Sequence, residues 1–403
     1  MGVVIDSRDA TFIEEVNTLL THMGYPCRAA ASAGGIGMFA ARDIRAGELI
    51  ACETPLTLTL CRDAREHTCA HCLSDSRFPA EEGDGNASWP LTCTGCGVLR
   101  FCCETCEAAA SCRHSGCECE AHAKMQHMEG AGRAVDEDAA DLLTQSIRIL
   151  SDHAAGRRVC VLPGCFASYS SYTQRLVGLD RTGRLAHTAE PIRQAVDASL
   201  VLIPEAAAVR GPELFDVLNR HQANVYAVLG RGADELASAS FVGVFHLFNH
   251  ACTPNVAFDS IPRCGPIRVA SMSRSGSEAG AARAGEVGEA DAEEAVEAAA
   301  LHFALLALVD VEEGTELCIS YTSTACGPSE RQEHLSEHFG FSCDCERCRC
   351  DDPLRELELG EAFDAMRCVN EDCGTGYGVE SAAGWRRCVH CGRQWHMDDV
   401  DSD

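Results

Sequence analysis

The sequence predicts an α+β fold in which one β-rich domain is interrupted by a cysteine-rich module and a helical insert. Three observations carry this. Strand-and-turn patterns occur over 35–60 and return from Val242 to Ser320. Between them, 135–230 is mainly helical in period, with Leu142, Leu143, Ile147 and Leu150 as one apolar face. The chain also holds 27 cysteines, many in close pairs.

Taken in order, residues 1–28 carry an N-terminal helix, since Phe12, Val16, Leu19 and Leu20 share one face over 10–23. Met1–Asp6 lacks the basic-then-apolar order of a secretory signal, and Asp6 stands where a myristoylation site wants Ser or Thr. In 29–66, Gly35-Ile36-Gly37 leads into Met38-Phe39-Ala40-Ala41, a turn at Asp43–Glu48, then Leu49-Ile50-Ala51. Residues 67–122 are rich in cysteine and poor in large apolar side chains, so metal must supply what a core cannot. Residues 123–235 form the helical insert. The β pattern resumes in 236–325, broken at 274–300 by Ser, Gly, Ala and acid, the composition of a disordered acidic loop. Segments 326–350 and 360–396 each hold a further cysteine group. Asp43-Ile44-x-x-Gly47-Glu48-Leu49 is echoed by Asp310-Val311-x-x-Gly314-x-Glu316-Leu317, so the two are read as matching strand–turn–strand corners of one domain.

The 33 basic and 61 acidic residues give a net charge of −28. Such a surface repels nucleic-acid phosphates and favours basic partners. No apolar run is long enough to span a bilayer, so no membrane role is expected. In a long chain read as intracellular, cysteines in repeated close pairs point to zinc rather than disulfides.

Three cysteine sets have zinc spacing. Cys69-x-x-Cys72, Cys93-x-x-Cys96 and Cys102-x-x-x-Cys106, followed by His114 and Cys117, offer eight ligands for two four-coordinate ions. Cys119 is the other candidate for the eighth position. Cys343-x-Cys345-x-x-Cys348 leaves one tetrahedral position to be filled from elsewhere. Cys368-x4-Cys373 with Cys388-x-x-Cys391 is spaced like a small zinc ribbon, with Trp385 and Trp395 available to cover it.

Phe248-Asn249-His250-Ala251-Cys252-Thr253-Pro254-Asn255 has no explanation in helical or strand periodicity. It is followed by Glu316-Leu317-Cys318-Ile319-Ser320-Tyr321 and the Cys343 group, and preceded by Gly35-x-Gly37. These four elements in this order resemble the SET domain. The cysteine module between the first and the rest resembles the MYND finger. Together they resemble the SET and MYND (SMYD) family, in its shorter members without a C-terminal helical-repeat domain.

The resemblance implies an S-adenosyl-L-methionine-dependent protein-lysine N-methyltransferase with about four structural zinc ions. It groups Cys69, Cys72, Cys102 and Cys106 on one zinc and Cys93, Cys96, His114 and Cys117 on another. It makes Cys252 the fourth ligand beside Cys343, Cys345 and Cys348. Gly35, Ile36 and Gly37 are then the backbone against the methionine part of the cofactor. Asn249, His250 and the Asn224 of Asn224-Val225-Tyr226 contact the cofactor, and Phe341 packs on its adenine. Tyr321 is the catalytic tyrosine. Phe339, four residues after Leu335, stands in the lysine channel where the family usually has Tyr. Two more positions depart from the family: Gly34 replaces a basic residue, and His246 a serine. The expected partners are a basic, lysine-containing protein or peptide and Pro-rich peptides at the finger, in cytoplasm or nucleus. The alternative function is an inert SET/MYND adaptor that recruits partners through finger and acidic surface.

Overall fold

The computed structural model describes residues 7–396 apart from 34, 78–88, 115, 131–136, 157, 163–164, 169–185, 205–208, 210, 223, 231–234, 242, 265–300, 371–372, 374–375, 383 and 390. The acidic loop expected at 274–300 therefore lies outside the described residues. The chain opens with helix α1 (Ser7–Met23), then strands β1 (Cys27–Ser32), β2 (Gly35–Ala40), β3 (Leu49–Glu53) and β4 (Thr57–Leu60). The cysteine-rich stretch contains β5 (Leu91–Thr92), β6 (Arg100–Phe101), α2 (Glu104–His114) and α3 (Cys117–Gly130). Next come α4 (Glu137–Ala154), the hairpin β7 (Arg158–Leu162) and β8 (Cys165–Ser168), α5 (Ala186–Leu202) and α6 (Gly211–Gln222). Strands β9 (Val225–Leu229), β10 (Glu235–Ser240), β11 (Asn249–His250), β12 (Val256–Cys264), β13 (Leu301–Ala307) and β14 (Glu316–Ile319) follow. The C-terminal part has α7 (Pro328–Phe339), α8 (Pro353–Asp364), β15 (Gly378–Ala382), β16 (Trp385–Cys388) and β17 (Gln394–His396).

Each of the three sheets of the β-rich domain is completed by strands from both sides of the insert. Their orders are β1-β2-β14-β11, β12-β13-β3 and β4-β10-β9. Strand β9 falls in the stretch read from sequence as helical insert, yet it pairs with β10. Strand β13, Leu-His-Phe-Ala-Leu-Leu-Ala, is buried at every position and lies between β12 and β3. A strand apolar on both sides can sit only in such a central place. α1 packs Val16 and Leu20 into this core and ends at Gly24, whose φ of 71° suits the left-handed turn after a helix. Asn17 then clips α1 to β1, accepting from Ala29 N at 2.7 Å and donating to Ala29 O at 3.0 Å.

The repeated corners meet each other. Ile44 bridges Val311. Asp43 accepts from the Glu313 amide at 2.9 Å, and Asp310 from the Ala46 amide at 2.8 Å. Gly47 and Gly314 both take positive φ, 80° and 84°. Each corner's Asp thus caps the other's turn, and this exchange closes the interrupted domain.

A second core, built from α3 to α6, holds Leu142, Leu143, Ile147 and Leu150 against Ile192 and Val196. At the far end, Phe363 of α8 packs on Ala257, Leu308 and Tyr377. No helix among the described residues is long and apolar enough to cross a membrane.

Candidate active site and thiolate clusters

Four groups of Cys and His side chains converge, each with its ligand atoms within 4.8 Å of one another. They are Cys69, Cys72, Cys102 and Cys106; Cys93, Cys96, His114 and Cys119; Cys252, Cys343, Cys345 and Cys348; and Cys368, Cys373, Cys388 and Cys391. Four sulfurs bound tetrahedrally at zinc distance are about 3.8 Å apart. The observed separations match: Cys72–Cys102 is 3.5 Å, Cys93–Cys119 3.6 Å, Cys252–Cys343 3.9 Å and Cys373–Cys388 3.7 Å. Main-chain amides donate to several of these sulfurs, as Val98 N does to Cys96 and Asn370 N to Cys368, each at 3.4 Å. Donor set, spacing and amide donors all fit zinc held by thiolates.

Two expectations are corrected here. The group formed with Cys93, Cys96 and His114 is completed by the Cys119 sulfur and not by Cys117. Gly116, with φ 77°, ends the turn after α2, and α3 begins at Cys117. The next residues wind around that helix, so Cys117 packs toward the second core while Cys119 faces Cys93. In the C-terminal cluster Trp395, and not Trp385, provides cover. It is 4% exposed against Cys373 and Cys388, whereas Trp385 is 44% exposed and meets His396 edge-on.

Of the sequence-derived cofactor and catalytic residues, Gly35, Ile36, Gly37, Asn249, His250 and Tyr321 come together around β11, β14 and the start of β2, whereas Asn224 lies before β9. β11 pairs in parallel with β14, Asn249 opposite Cys318 and His250 opposite Ile319, and β14 pairs with β2. Asn249 Nδ2 donates to Ser32 Oγ and Glu316 Oε1, both at 2.8 Å. This explains Gly37: a Cβ there would sit 2.5 Å from Glu316 Oε1 and 2.8 Å from Asn249 Nδ2. Gly35 has φ 116° and open space where its Cβ would be. Asn255 acts as a substitute strand residue, donating to Glu316 O at 2.9 Å and accepting from Cys318 N at 2.8 Å.

His250 links this strand to the third thiolate cluster. Its Nδ1 accepts the Tyr321 amide at 2.9 Å. A main-chain N–H only donates, so the ring proton resides on Nε2, 3.2 Å from Cys252 Sγ. Burial pulls the imidazole down to about 4, which keeps it neutral. The Tyr321 hydroxyl donates to Phe248 O at 2.7 Å, committing its proton and leaving its lone pairs as acceptors. Burial pushes this phenol above its ordinary range. The rings of Phe339, His250 and Phe341 stand 4.9, 5.4 and 6.3 Å from that of Tyr321. Phe341 remains 37% exposed, an aromatic face open to a ligand. Asn224 is buried just before β9, two residues from Tyr226, which donates to Phe245 O at 2.8 Å.

Sequence reasoning missed Glu53. Its carboxylate is fully buried and accepts from the amides of Gly243, Val244 and Phe245, the last two at 2.9 Å. It thereby holds the segment that delivers Phe248 O, Asn249 and His250. Its only sequence signal is a charge at the end of an otherwise apolar strand.

A fold of this topology, with an Asn-His strand beside a half-buried tyrosine and a thiolate cluster, has counterparts among known proteins. The SET domain matches over residues 35–322, and the chain belongs to the SET-domain family. It is 23% identical over 353 residues to the histone-lysine N-methyltransferase ASHR2 of Arabidopsis thaliana, covering 82% of this chain and 74% of that one. It is 22% identical to the histone-lysine N-methyltransferase SMYD3 of Homo sapiens, covering 81% of this chain and 62% of the relative's length. A SET and MYND domain-containing protein of Dictyostelium discoideum is 26% identical over 146 residues, 35% of this chain and 21% of the relative.

Proposed function

We propose that this chain is a protein-lysine N-methyltransferase that uses S-adenosyl-L-methionine. The observation that carries the reading is the convergence of Tyr321 with Asn249, His250, Phe339 and Phe341 in a SET-domain chain. The cofactor, when bound, supplies an electrophilic methyl group on a sulfonium. Gly35, Ile36 and Gly37 form the backbone against its methionine part, Asn224, Asn249 and His250 hold it, and Phe341 packs on the adenine. The open space at Gly35 and the exposed face of Phe341 support this placement.

The chain's own contribution is orientation and desolvation. A lysine amine must arrive neutral and in line with the bond being broken, and most of the gain comes from holding it there. Phe339 and Tyr321 wall an apolar channel, and burial in such a channel favours the neutral amine. The Tyr321 oxygen, its proton committed to Phe248 O, accepts from the amine and fixes its direction. The Phe339 side chain, where the family usually has Tyr, cannot hydrogen-bond the amine, so it does not hold the nitrogen in place after the first methyl.

Residues 67–122 are proposed to be a MYND-type finger, 326–350 a post-SET zinc segment and 360–396 a zinc ribbon, with zinc structural throughout. The substrate is a basic lysine-containing protein, drawn by the −28 charge, with Pro-rich peptides at the finger. The expected location is cytoplasm or nucleus. Incubating zinc-loaded protein with methyl-labelled S-adenosylmethionine and histones or a basic peptide pool tests the activity. Label transferred to lysine supports it. Cofactor binding without transfer to any lysine-rich protein favours an adaptor instead.

A further inference from the structure

A buried ionic cluster ties the third thiolate group to helix α8. The Arg331 side chain on α7 is fully buried. It donates from Nη2 to Glu356 Oε1 at 2.9 Å and from Nη1 to Cys326 O at 2.6 Å. The same Glu356 oxygen accepts from Arg347 Nε at 2.8 Å, and Arg347 Nη1 donates to Thr324 O at 2.6 Å. Arg331 Nη2 also reaches the Cys348 sulfur at 4.0 Å. One carboxylate on α8 therefore serves two guanidinium groups, one on α7 and one between the ligands Cys345 and Cys348.

A second observation marks this contact as built. Gly360 lies inside α8, where glycine is a poor helix residue. A Cβ at that position would collide with Arg347 Nη2 and lie 2.8 Å from its Cζ. The glycine lets the guanidinium lie against the helix. α8 itself is anchored on the β-rich domain through Phe363 against Ala257 and Leu308. On the other side, α7 grips the thiolate segment: Gln332 donates to Cys343 O at 2.7 Å and accepts from Cys343 N at 3.0 Å. Phe339 ends α7, Gly340 turns the chain with φ 71°, and Phe341 follows.

A buried ion triad gives little net stability, because desolvation offsets the attraction; what it can supply is the choice of which surfaces meet. Here those surfaces are a helix fixed to the domain and the segment bearing Phe339 and Phe341. We infer that Glu356 is a positioning residue through which α8 sets the Phe339–Phe341 cap over Tyr321 and His250. What the cap covers rests on the methyltransferase reading; the docking does not.

The test uses the full-length, zinc-loaded chain with Glu356→Gln and Gly360→Ala, and Glu358→Ala as an exposed control on the same helix. S-adenosylhomocysteine affinity is measured by calorimetry, and amide exchange is followed over 339–350 and over the finger. The first two variants should lose roughly tenfold in affinity, because small misplacement of a site wall is costly. Exchange should quicken over 339–350 and stay unchanged in the finger, and the control should match the parent. Unchanged affinity together with unchanged exchange at 339–350 overturns the inference. If Glu356→Gln fails to fold, Gly360→Ala, which removes no charge, decides it. If the parent chain binds no S-adenosylhomocysteine, the methyltransferase reading fails, and exchange at 339–350 alone decides the positioning role.

Discussion

The Cys252–Cys343 cluster and the Cys368–Cys391 cluster have the same four-cysteine composition and similar sulfur spacings, but different surroundings. In the first, Cys252 is fully buried, Tyr321 and Phe339 pack against the group, and His250 directs Nε2–H at the Cys252 sulfur. In the second, the sulfurs meet their own module: Asn370 donates to Cys368 and Cys391, Trp395 covers one side, and Cys391 is exposed. Identical thiolate chemistry supports the proposed active site in one place and acts as a local staple in the other. What separates them is where the groups around the thiolates lead, since such outer contacts orient ligands and tune the metal.

The largest effect is expected at Cys343. Cys343→Ser should release one zinc and abolish measurable S-adenosylhomocysteine binding, because Phe341 and His250 lose their common support. Metal analysis alongside calorimetry checks both effects. Tyr321→Phe acts beside the same cluster. It should leave zinc content and cofactor affinity nearly unchanged and lower kcat by about 10²- to 10³-fold, the usual scale for one group at a reacting centre. Cys391→Ser should also release one zinc, yet weaken cofactor binding only a few-fold, roughly the effect of a distant module on a preformed site. Equal losses from Cys343→Ser and Cys391→Ser would erase the distinction.

Acid should act through the buried imidazoles. His302 is held near 4 and His221 near 3 by burial, both below the ordinary 6.5. The unfolded chain takes up these protons first, so stability is complete above about 6.5 and falls as pH drops toward 4. Denaturant titrations at pH 7.5, 6 and 5 should show midpoints descending in that order. The smallest effect concerns product state. Phe339→Tyr adds a hydroxyl beside the channel and should shift the products of long reactions toward monomethyl-lysine, read by mass spectrometry.

Much of the candidate site was legible because it is written in short motifs. Gly35-x-Gly37, Asn249-His250-x-Cys252 and Cys343-x-Cys345-x-x-Cys348 are each local, and the repeated Asp43 and Asp310 corners foretold that the two halves meet. Long-range polar contacts were not legible. Glu53 accepts from amides about 190 positions later, and nothing near either end announces the partner. Gly360 reads as a weak spot in a helix until Arg347 is seen lying on it. Cys117 and Cys119 are equivalent as spacings; only the winding of α3 separates them. Gly37 was read as room for a ligand, whereas in the fold it also makes room for Asn249 and Glu316.

The central claim, that Tyr321, Asn249, His250 and the Cys252–Cys343 cluster form one methyl-transfer site, is tested most directly by titrating zinc-replete protein with S-adenosylmethionine in a calorimeter. The account predicts saturable binding at one site per chain, displaced by S-adenosylhomocysteine and absent from Cys343→Ser. A folded chain with all four clusters loaded and no cofactor binding would contradict it.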